Sequence, residues 1–342
     1  MNWQSLQRSR LMQLFLRPLS WAYGVAVLAR VRAYARGQLP RKRLSAAVVS
    51  VGNLTVGGAG KTPMVLWLAE KFLERGKRVA VLSRGYRGAD GSSDEVEILR
   101  ARLGQRATVA VGANRFTAGS ALERSTAIDI FLLDDGFQHL QLARDVDILL
   151  MDASRTLTNE RLLPAGLLRE PVSAMSRADI LVFTRAESQP GVTAALSHLS
   201  EYPVFAARTK LLGFRNLRAG ESKELLDGGQ IGAGPFFAFC GLGNPQQFFR
   251  DLERWQVPIS GTKVFADHHR YRAGDAARIE RAAERSQAYA LITTEKDARN
   301  LAGIAWSKFP AYAAIIDVAV SQEEAFLELI EAKIARRFGA AS

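Results

Sequence analysis

Five short segments of this chain are apolar almost from end to end: AAVVSVGNL (46–54), RVAVLSRGY (78–86), AIDIFLLDDG (127–136), VDILLMDAS (146–154) and ADILVFTRAE (178–187). A strand with one wetted face alternates apolar and polar residues, so strands without that alternation must be covered on both sides. Segments of helix length separate them, and Thr62 to Arg75 sets Val65, Leu66, Leu68, Ala69 and Phe72 on one side of a helix. The pattern predicts an α/β fold: a parallel sheet flanked by helices, in which ligands bind beyond the carboxyl ends of the strands. The residues that follow each strand are therefore the first candidates for chemistry.

The first of these strands runs through TVGGAGKTP (55–63) into the predicted helix. This is the context of a P-loop, G-x-x-x-x-G-K-[ST], although Thr55 stands where its first glycine belongs. Thr55, Val56, Gly57, Gly58, Ala59, Gly60, Lys61, Thr62 and Pro63 are the candidate nucleotide-binding residues. The glycines let the backbone turn tightly and aim N–H groups at phosphate oxygens, Lys61 adds a point charge, and Thr62 offers a hydroxyl to Mg²⁺. Pro63 fits just inside a helix start, where its missing N–H costs nothing. Asp134 and Asp135 end the strand FLLDD, where a Walker B acid supports Mg²⁺ directly or through water; paired acids there also serve as helix caps. Gln138 and His139 follow near the same edge, placed either to position a nucleophile or as polar loop residues.

Charge is distributed unevenly. Nine Lys and Arg lie within residues 1–43 and no acid precedes Glu70, so the net charge of +12 is concentrated at one end and the remaining residues carry only +3. A nucleic-acid binder is expected to carry its basic face on the folded body, so none is expected as a partner. LMQLFL and PLSWAYGVAVLA interleave with the arginines, as in a helix lying at a membrane surface. The uncharged run Pro18–Ala29 is 12 residues, short of the ~20 that span a bilayer, so the segment is expected to lie in or on one leaflet. An Arg-rich targeting segment and a surface-packed helix fit the same residues. The single cysteine, Cys240, excludes an intramolecular disulfide framework and a cysteine-based zinc cluster.

Near residue 203 the pattern changes. PVFAARTKLLGFRNL is extended, AGESKELLDGGQIGAGP is loop-rich, and then FFAFCGLGNPQQFFRDLERW and AYALITTEKDARNL restart the strand, turn and helix sequence. The expected organisation is a membrane-associated basic helix at 1–44, a P-loop domain at 45–202, an extended β linker at 203–228 and a smaller α/β domain at 229–342 that closes over the nucleotide.

SVGNLTVGGAGKTP, LSRGYRG, SDE, LLDDGFQH, LLPAGLLREP, FCGLGNPQQFF, FADHHRY and LITTEKDA occur in this order. In that combination the chain resembles the tetraacyldisaccharide 4′-kinases, the lipid A 4′-kinases of Gram-negative bacteria, from its N-terminal helix to about residue 301. The resemblance implies transfer of the ATP γ-phosphate, with Mg²⁺, to the 4′-hydroxyl of tetraacyldisaccharide 1-phosphate. It implies the cytoplasmic face of the inner membrane, with peripheral or monotopic attachment. The family's acceptor-side pair corresponds to Asp94 in SDE and His268 in DHH, Asp94 as proton acceptor and His268 as its orienting partner. Lys61, Asp134, Asp135 and Gln138 complete the expected catalytic set. The resemblance makes Glu170 of LREP the second Mg²⁺-associated carboxylate beside Thr62 and Asp134, and it brings Lys296 and Asp297 to the base or ribose of ATP. Arg84, Glu95, Arg115 and Arg169 are weaker candidates for contact with substrate.

The alternative is a membrane-associated P-loop regulatory ATPase or GTPase. Val56 stands where partitioning ATPases commonly have lysine, and no N-K-x-D base-reading motif is present.

Overall fold

The computed structural model describes residues 10–85, 93–155, 160–188, 202–218, 224–301 and 303–339. In chain order its helices are α1 (Arg10–Ala35), α2 (Lys61–Glu74), α3 (Asp94–Leu103), α4 (Arg115–Ser125), α5 (Pro245–Arg254), α6 (Ala273–Arg285), α7 (Glu295–Asn300) and α8 (Glu323–Gly339). The strands are β1 (Ala47–Asn53), β2 (Val79–Ser83), β3 (Thr108–Val111), β4 (Ile130–Asp134), β5 (Val146–Asp152), β6 (Ile180–Thr184), β7 (Val204–Asn216), β8 (Phe236–Cys240), β9 (Ile259–Val264), β10 (Ala290–Thr294) and β11 (Ala311–Val320). The chain forms two compact units: unit 1 comprises Met1–Gly91, Arg102–Thr209 and Val318–Ser342, and unit 2 comprises Ser92–Ala101 and Lys210–Asp317.

In unit 1 the strands run in the order β3-β2-β4-β1-β5-β6-β7, every pairing parallel. All residues of β1, β2, β4 and β6 are buried, as their unbroken apolar runs require. Val51 is level with Asp134, Asn53 with Leu150, and Asp152 with Thr184. That register brings the polar ends of β1, β4, β5 and β6 to one edge. β3 has no counterpart among the five apolar segments: it is four residues at the sheet edge, none of them buried, and so leaves no apolar run to read.

Unit 2 has the parallel order β11-β10-β8-β9. Successive residues of β8 feed opposite faces. Phe236, Ala238 and Cys240 pack with Phe248 and Leu252, while Phe237 and Phe239 pack with Ile279 and Trp306.

The domain boundaries differ from the sequence-based ones in three places. Segment 203–228 is not a separate linker, because β7 passes from unit 1 into unit 2 at Thr209 and Phe214 then pairs with Leu226. Residues 92–101 belong to unit 2, where Asp94 bonds side chains of that unit. Residues 318–342 belong to unit 1. There Phe326 of α8 lies edge-on to Phe205 at 4.9 Å and beside Trp67 at 5.9 Å. Around that contact Glu323 pairs with Lys71, Glu324 and Glu331 with Arg75, Lys333 with Asp179 and Arg337 with Asp145.

α1 is helical through Arg30 and Arg32, with Pro18 inside it. Its segment Leu14–Ala35 is long and apolar enough, by length and composition, to cross a membrane. The 12-residue uncharged run is thus only the middle of a longer helix, and length does not separate lying in one leaflet from crossing. Phe15 and Trp21 are about three-quarters exposed. The opposite side is docked on unit 1, where the Ser20 hydroxyl donates to Leu162 O at 2.7 Å and the Tyr23 hydroxyl to Arg169 O at 2.9 Å.

Candidate functional site

β1 delivers the loop 54–60 to the first turn of α2. Gly60 is left-handed at φ 81°, a conformation that costs a side-chain-bearing residue about 1–2 kcal/mol, and it turns the chain into the helix. Lys61, Thr62 and Pro63 form the first turn, whose N–H groups a helix leaves without internal partners. The loop is held from outside. Asn53 Nδ2 donates to Thr55 Oγ1 at 3.2 Å, Val56 N to Leu167 O at 2.8 Å, and Arg169 N to Leu54 O at 2.7 Å. Thr184 Oγ1 donates to Ala59 O at 3.0 Å and Arg185 Nη2 to Gly58 O at 2.8 Å, with Arg185 also paired to Asp152. With Gly58 and Ala59 carbonyls held outward, the loop presents a concavity suited to phosphate. Side chains at Gly57 would meet nothing within 4 Å, so the cradle is open there.

Lys61 Nζ reaches Asn53 Oδ1 at 3.3 Å, Gly57 O at 3.5 Å and Asp135 Oδ1 at 3.6 Å. These contacts are long and leave the ammonium ready for a stronger anion. Asp135 takes the left-handed φ of 53° and accepts from Arg169 Nη1 at 2.7 Å. Burial pushes the Asp135 carboxyl up, but Lys61, Arg169 and Arg115 outweigh it and hold the group below the usual carboxylate range. Asp134 is buried and accepts from Ser83 Oγ at 3.4 Å. The turn after these acids is pressed onto β1: a side chain at Gly136 would come within 2.5 Å of Ser50 Oγ, and one at Gly52 within 2.5 Å of Phe137 Cβ. Gln138 Nε2 donates to Asn53 O at 3.0 Å. His139 is kept neutral, its pKa lowered to about 4 by burial and then by Arg115, Arg144, Arg30 and Arg84. Arg115 is buried beside Asp134 and Asp135, whereas Arg84 is exposed at the end of β2. Unit 1 therefore brings together Lys61, Asp135 and Arg169, with Asp134, Gln138 and Arg115 around them.

Glu170 behaves otherwise. It is 2% exposed and its carboxylate lies 2.9 Å from Arg177 Nη2, with that guanidinium over the Phe137 ring at 4.5 Å. This buried oxygen lies against the arginine without a hydrogen bond to it, and among the described residues no group of three His, Cys, Asp or Glu is placed to hold a metal ion. Thr62, Asp134 and Glu170 stay as the candidate ligands. One hydroxyl with one or two carboxylates, completed by water and phosphate oxygens, suits the way Mg²⁺ binds at nucleotide sites.

Unit 2 carries the second group. Asp94 opens α3, and its Oδ2 lies 2.9 Å from His268 Nδ1 and accepts from Asn300 Nδ2 at 3.2 Å. Burial raises the Asp94 pKa, yet the bonds from His268 and Asn300 and the charge of Lys296 prevail and the carboxyl is lowered. His268 is raised, first by its bond to Asp94 and then by Asp267 and Glu95, against burial and Lys296. Glu95 thus acts on His268 through its charge, from the first turn of α3. Lys296 Nζ lies 2.9 Å from Asp267 Oδ1 and 3.3 Å from His268 Nε2.

The expectation that Asp297 reaches the nucleotide fails. Its carboxylate is 1% exposed and saturated by Gly241 N at 2.8 Å, Tyr271 OH at 2.9 Å and Thr294 Oγ1 at 2.6 Å. It ties the turn after β8 to the start of α7. Lys296 is engaged with the Asp94–His268 pair instead of standing free for a ribose or base. The sequence reading passed over Asn53, Asp152, Thr184 and Arg185, although each ends or directly follows an apolar strand. It also missed Asn300, which carries no signal beyond its position one turn after Lys296.

A sequence model of the family described as tetraacyldisaccharide-1-P 4′-kinase matches residues 12–335. A Geobacter metallireducens protein named tetraacyldisaccharide 4′-kinase is 39% identical over 331 residues, covering 91% of this chain and 95% of its own length. A Geobacter sulfurreducens protein of the same name is 41% identical over 315 residues, 86% of each chain. A crystal structure of LpxK from Aquifex aeolicus in complex with ATP aligns with a TM-score of 0.76 at 29% identity, covering 94% of this chain and 99% of that one. With a match that runs through both units and contains the phosphate loop, the paired acids and the Asp94–His268 pair, the chain belongs to the tetraacyldisaccharide-1-P 4′-kinase family.

Proposed function

We infer that the protein transfers the γ-phosphate of ATP to the 4′-hydroxyl of tetraacyldisaccharide 1-phosphate, a step of lipid A biosynthesis. The observation that carries this reading is the Asp94–His268 contact at 2.9 Å. A regulatory nucleotide switch needs a phosphate loop but has no use for a carboxylate and imidazole prepared for a substrate hydroxyl.

The loop N–H groups and Lys61 bind and orient the β- and γ-phosphates. Asp135, held ionised, keeps Lys61 and Arg169 in place until phosphate replaces it as their nearest anion. Thr62, Asp134 and Glu170 are the residues that would hold Mg²⁺, which when bound neutralises charge on the phosphate oxygens. Gln138, tethered to Asn53 O, borders the same edge. A sugar hydroxyl is a weak nucleophile, so the acceptor must be held in line while a base takes its proton. Asp94 is that base and His268 its orienting partner. Its lowered pKa makes it a modest base, but phosphoryl transfer passes through a loose transition state in which proton removal is late and positioning dominates. Arg84, Arg115 and Arg169 are anion contacts in this reading.

The exposed apolar side of α1 and its arginines suit a membrane surface carrying anionic lipid and a four-chain substrate. The site of action is the cytoplasmic face of the bacterial inner membrane, where ATP is available. Purified protein incubated with γ-labelled ATP, Mg²⁺ and tetraacyldisaccharide 1-phosphate in detergent is expected to label the lipid. ATP binding without label in the lipid would sink the reading.

A further inference from the structure

We propose that Lys296 and Asn300 are positioning residues that hold the acceptor-side pair in one hydrogen-bonded state, with His268 neutral and protonated at Nδ1, so that Asp94 offers Oδ1 to the substrate hydroxyl. This rests on the phosphoryl-transfer reading and names the atoms that serve it.

A lysine ammonium has three donors and no acceptor. Its approach to His268 Nε2 at 3.3 Å therefore demands a lone pair on that nitrogen. A neutral imidazole with Nε2 bare carries its proton on Nδ1, which lies 2.9 Å from Asp94 Oδ2. Asp267 is 3.9 Å from Nε2, beyond hydrogen-bond reach, but 2.9 Å from Lys296 Nζ. It anchors the lysine and does not compete for the ring. Lys296 Nζ thus spans Asp267 and the imidazole with two of its three donors.

Asn300 settles the carboxylate. Its amide Nδ2 donates to the same Oδ2 at 3.2 Å, so that oxygen accepts two bonds. Among the described residues Asp94 Oδ1 has no hydrogen-bond partner. Asp94 also opens α3, whose N-terminal field favours the ionised form. His268 is held at φ 58° with its N–H on Gly241 O at 3.3 Å, a left-handed backbone that aims the ring. In the reaction the hydroxyl oxygen bonds to the γ-phosphorus and the bond from that phosphorus to the bridging oxygen breaks, its electron pair leaving with ADP. The hydroxyl proton passes to Asp94 Oδ1 and then to water.

The charged groups facing the ring are Asp94 and Glu95 from α3, Lys296 from α7 and Asp267 from its own loop. Lys296 is the cation among them. Removing it makes the imidazolium form at higher pH, with a proton on Nε2.

The test uses the full-length protein in detergent with ¹⁵N-labelled histidine. Four histidines are present, and His268→Gln identifies the signal of interest. At the pH of maximal activity the expected spectrum has Nε2 unprotonated and Nδ1 protonated. Lys296→Met is expected to lower kcat about ten-fold, a part of the 10²–10⁴ that general-base catalysis supplies. It should also move the acid limb of the kcat profile to higher pH and leave KM for ATP unchanged, with Lys296→Arg restoring both. Asn300→Ala is expected to lower kcat about three-fold with the ring still protonated at Nδ1. An Nε2–H tautomer or an imidazolium in the wild type at that pH overturns the proposal. So does a Lys296→Met enzyme whose KM for ATP rises at constant kcat, since that is the signature of a nucleotide contact. Failure of the wild type to phosphorylate the lipid would overturn the functional reading alone, and the nitrogen spectrum would still decide the tautomer.

Discussion

In unit 1 the phosphate cradle is made by main chain: a glycine turn, a helix start, and carbonyls held back by Thr184 and Arg185. In unit 2 the proposed acid–base group is made by side chains, Asp94, His268, Lys296 and Asn300, and the imidazole is half exposed at 52%. A main-chain site exists as soon as the strands are in register, and its charges are locked by one another. A side-chain site depends on a few hydrogen bonds near solvent, so protons and single substitutions reach it first. Under the proposed function, the difference assigns affinity for ATP to one unit and sensitivity to pH to the other.

Single substitutions in each unit test that contrast. Lys61→Ala is expected to cost about 10³-fold in kcat/KM, the scale of losing a preorganised contact to developing charge, and to weaken ATP binding in a nucleotide titration. Asp94→Asn should lower kcat by about 10²-fold while ATP affinity stays within about two-fold, because a general base contributes to the chemical step and not to nucleotide binding. A parallel loss of ATP affinity in Asp94→Asn would erase the division.

Titration supplies the next test. Asp135 is held low by Lys61 and Arg169 against its burial, and His139 is lowered to about 4, so the cradle keeps one charge state above about pH 5. His268 is raised by Asp94, so it gains its proton as pH falls through a value above the ordinary histidine range. Between about pH 8 and 6, kcat should fall on the acid side by up to about ten-fold per unit while ATP affinity stays flat. An ATP affinity that follows kcat would place the titrating group in unit 1.

Arg185→Met removes the bond to Gly58 O and the pair with Asp152. Loss of one charge-assisted bond, about 1.5 kcal/mol, is expected to raise KM for ATP about ten-fold with kcat nearly kept. The smallest effect is expected of Tyr23→Phe, which removes the bond to Arg169 O. About 1 kcal/mol corresponds to about 2–4 °C in Tm for a unit of this size, with ATP kinetics unchanged.

The cradle was legible because its chemistry is contiguous: β1, the glycines, Lys61 and Thr62 follow one another along the chain. Asp134 and Asp135 could be placed because an apolar strand points to its own end. The surroundings of Glu170 were not legible, since Arg177 beside it is brought in by a separate 3₁₀ turn. Asp297 and Lys296 are adjacent in sequence, yet a short helix sends one into the unit 2 core and the other to His268. Motif reading treats such neighbours alike and packing does not. β3 escaped because a four-residue edge strand has no buried face to leave a pattern. α8 was assigned to the wrong unit because its sequence position follows β10 and β11 while its apolar face fits Phe205 and Trp67.

That placement of α8 bears on how the protein is made. Lys71 and Arg75 leave the ribosome early, directly after the phosphate loop, but their partners Glu323, Glu324 and Glu331 emerge only after all of residues 210–317 have been synthesised. Until then Trp67 and Phe205 lack the Phe326 ring that covers them. The nucleotide-binding half of a nascent chain therefore waits, with α1 already translated, for a stretch encoded near the end of the message. A ribosome stalled after β10 would display that half with an uncovered apolar face, open to chaperones and proteases.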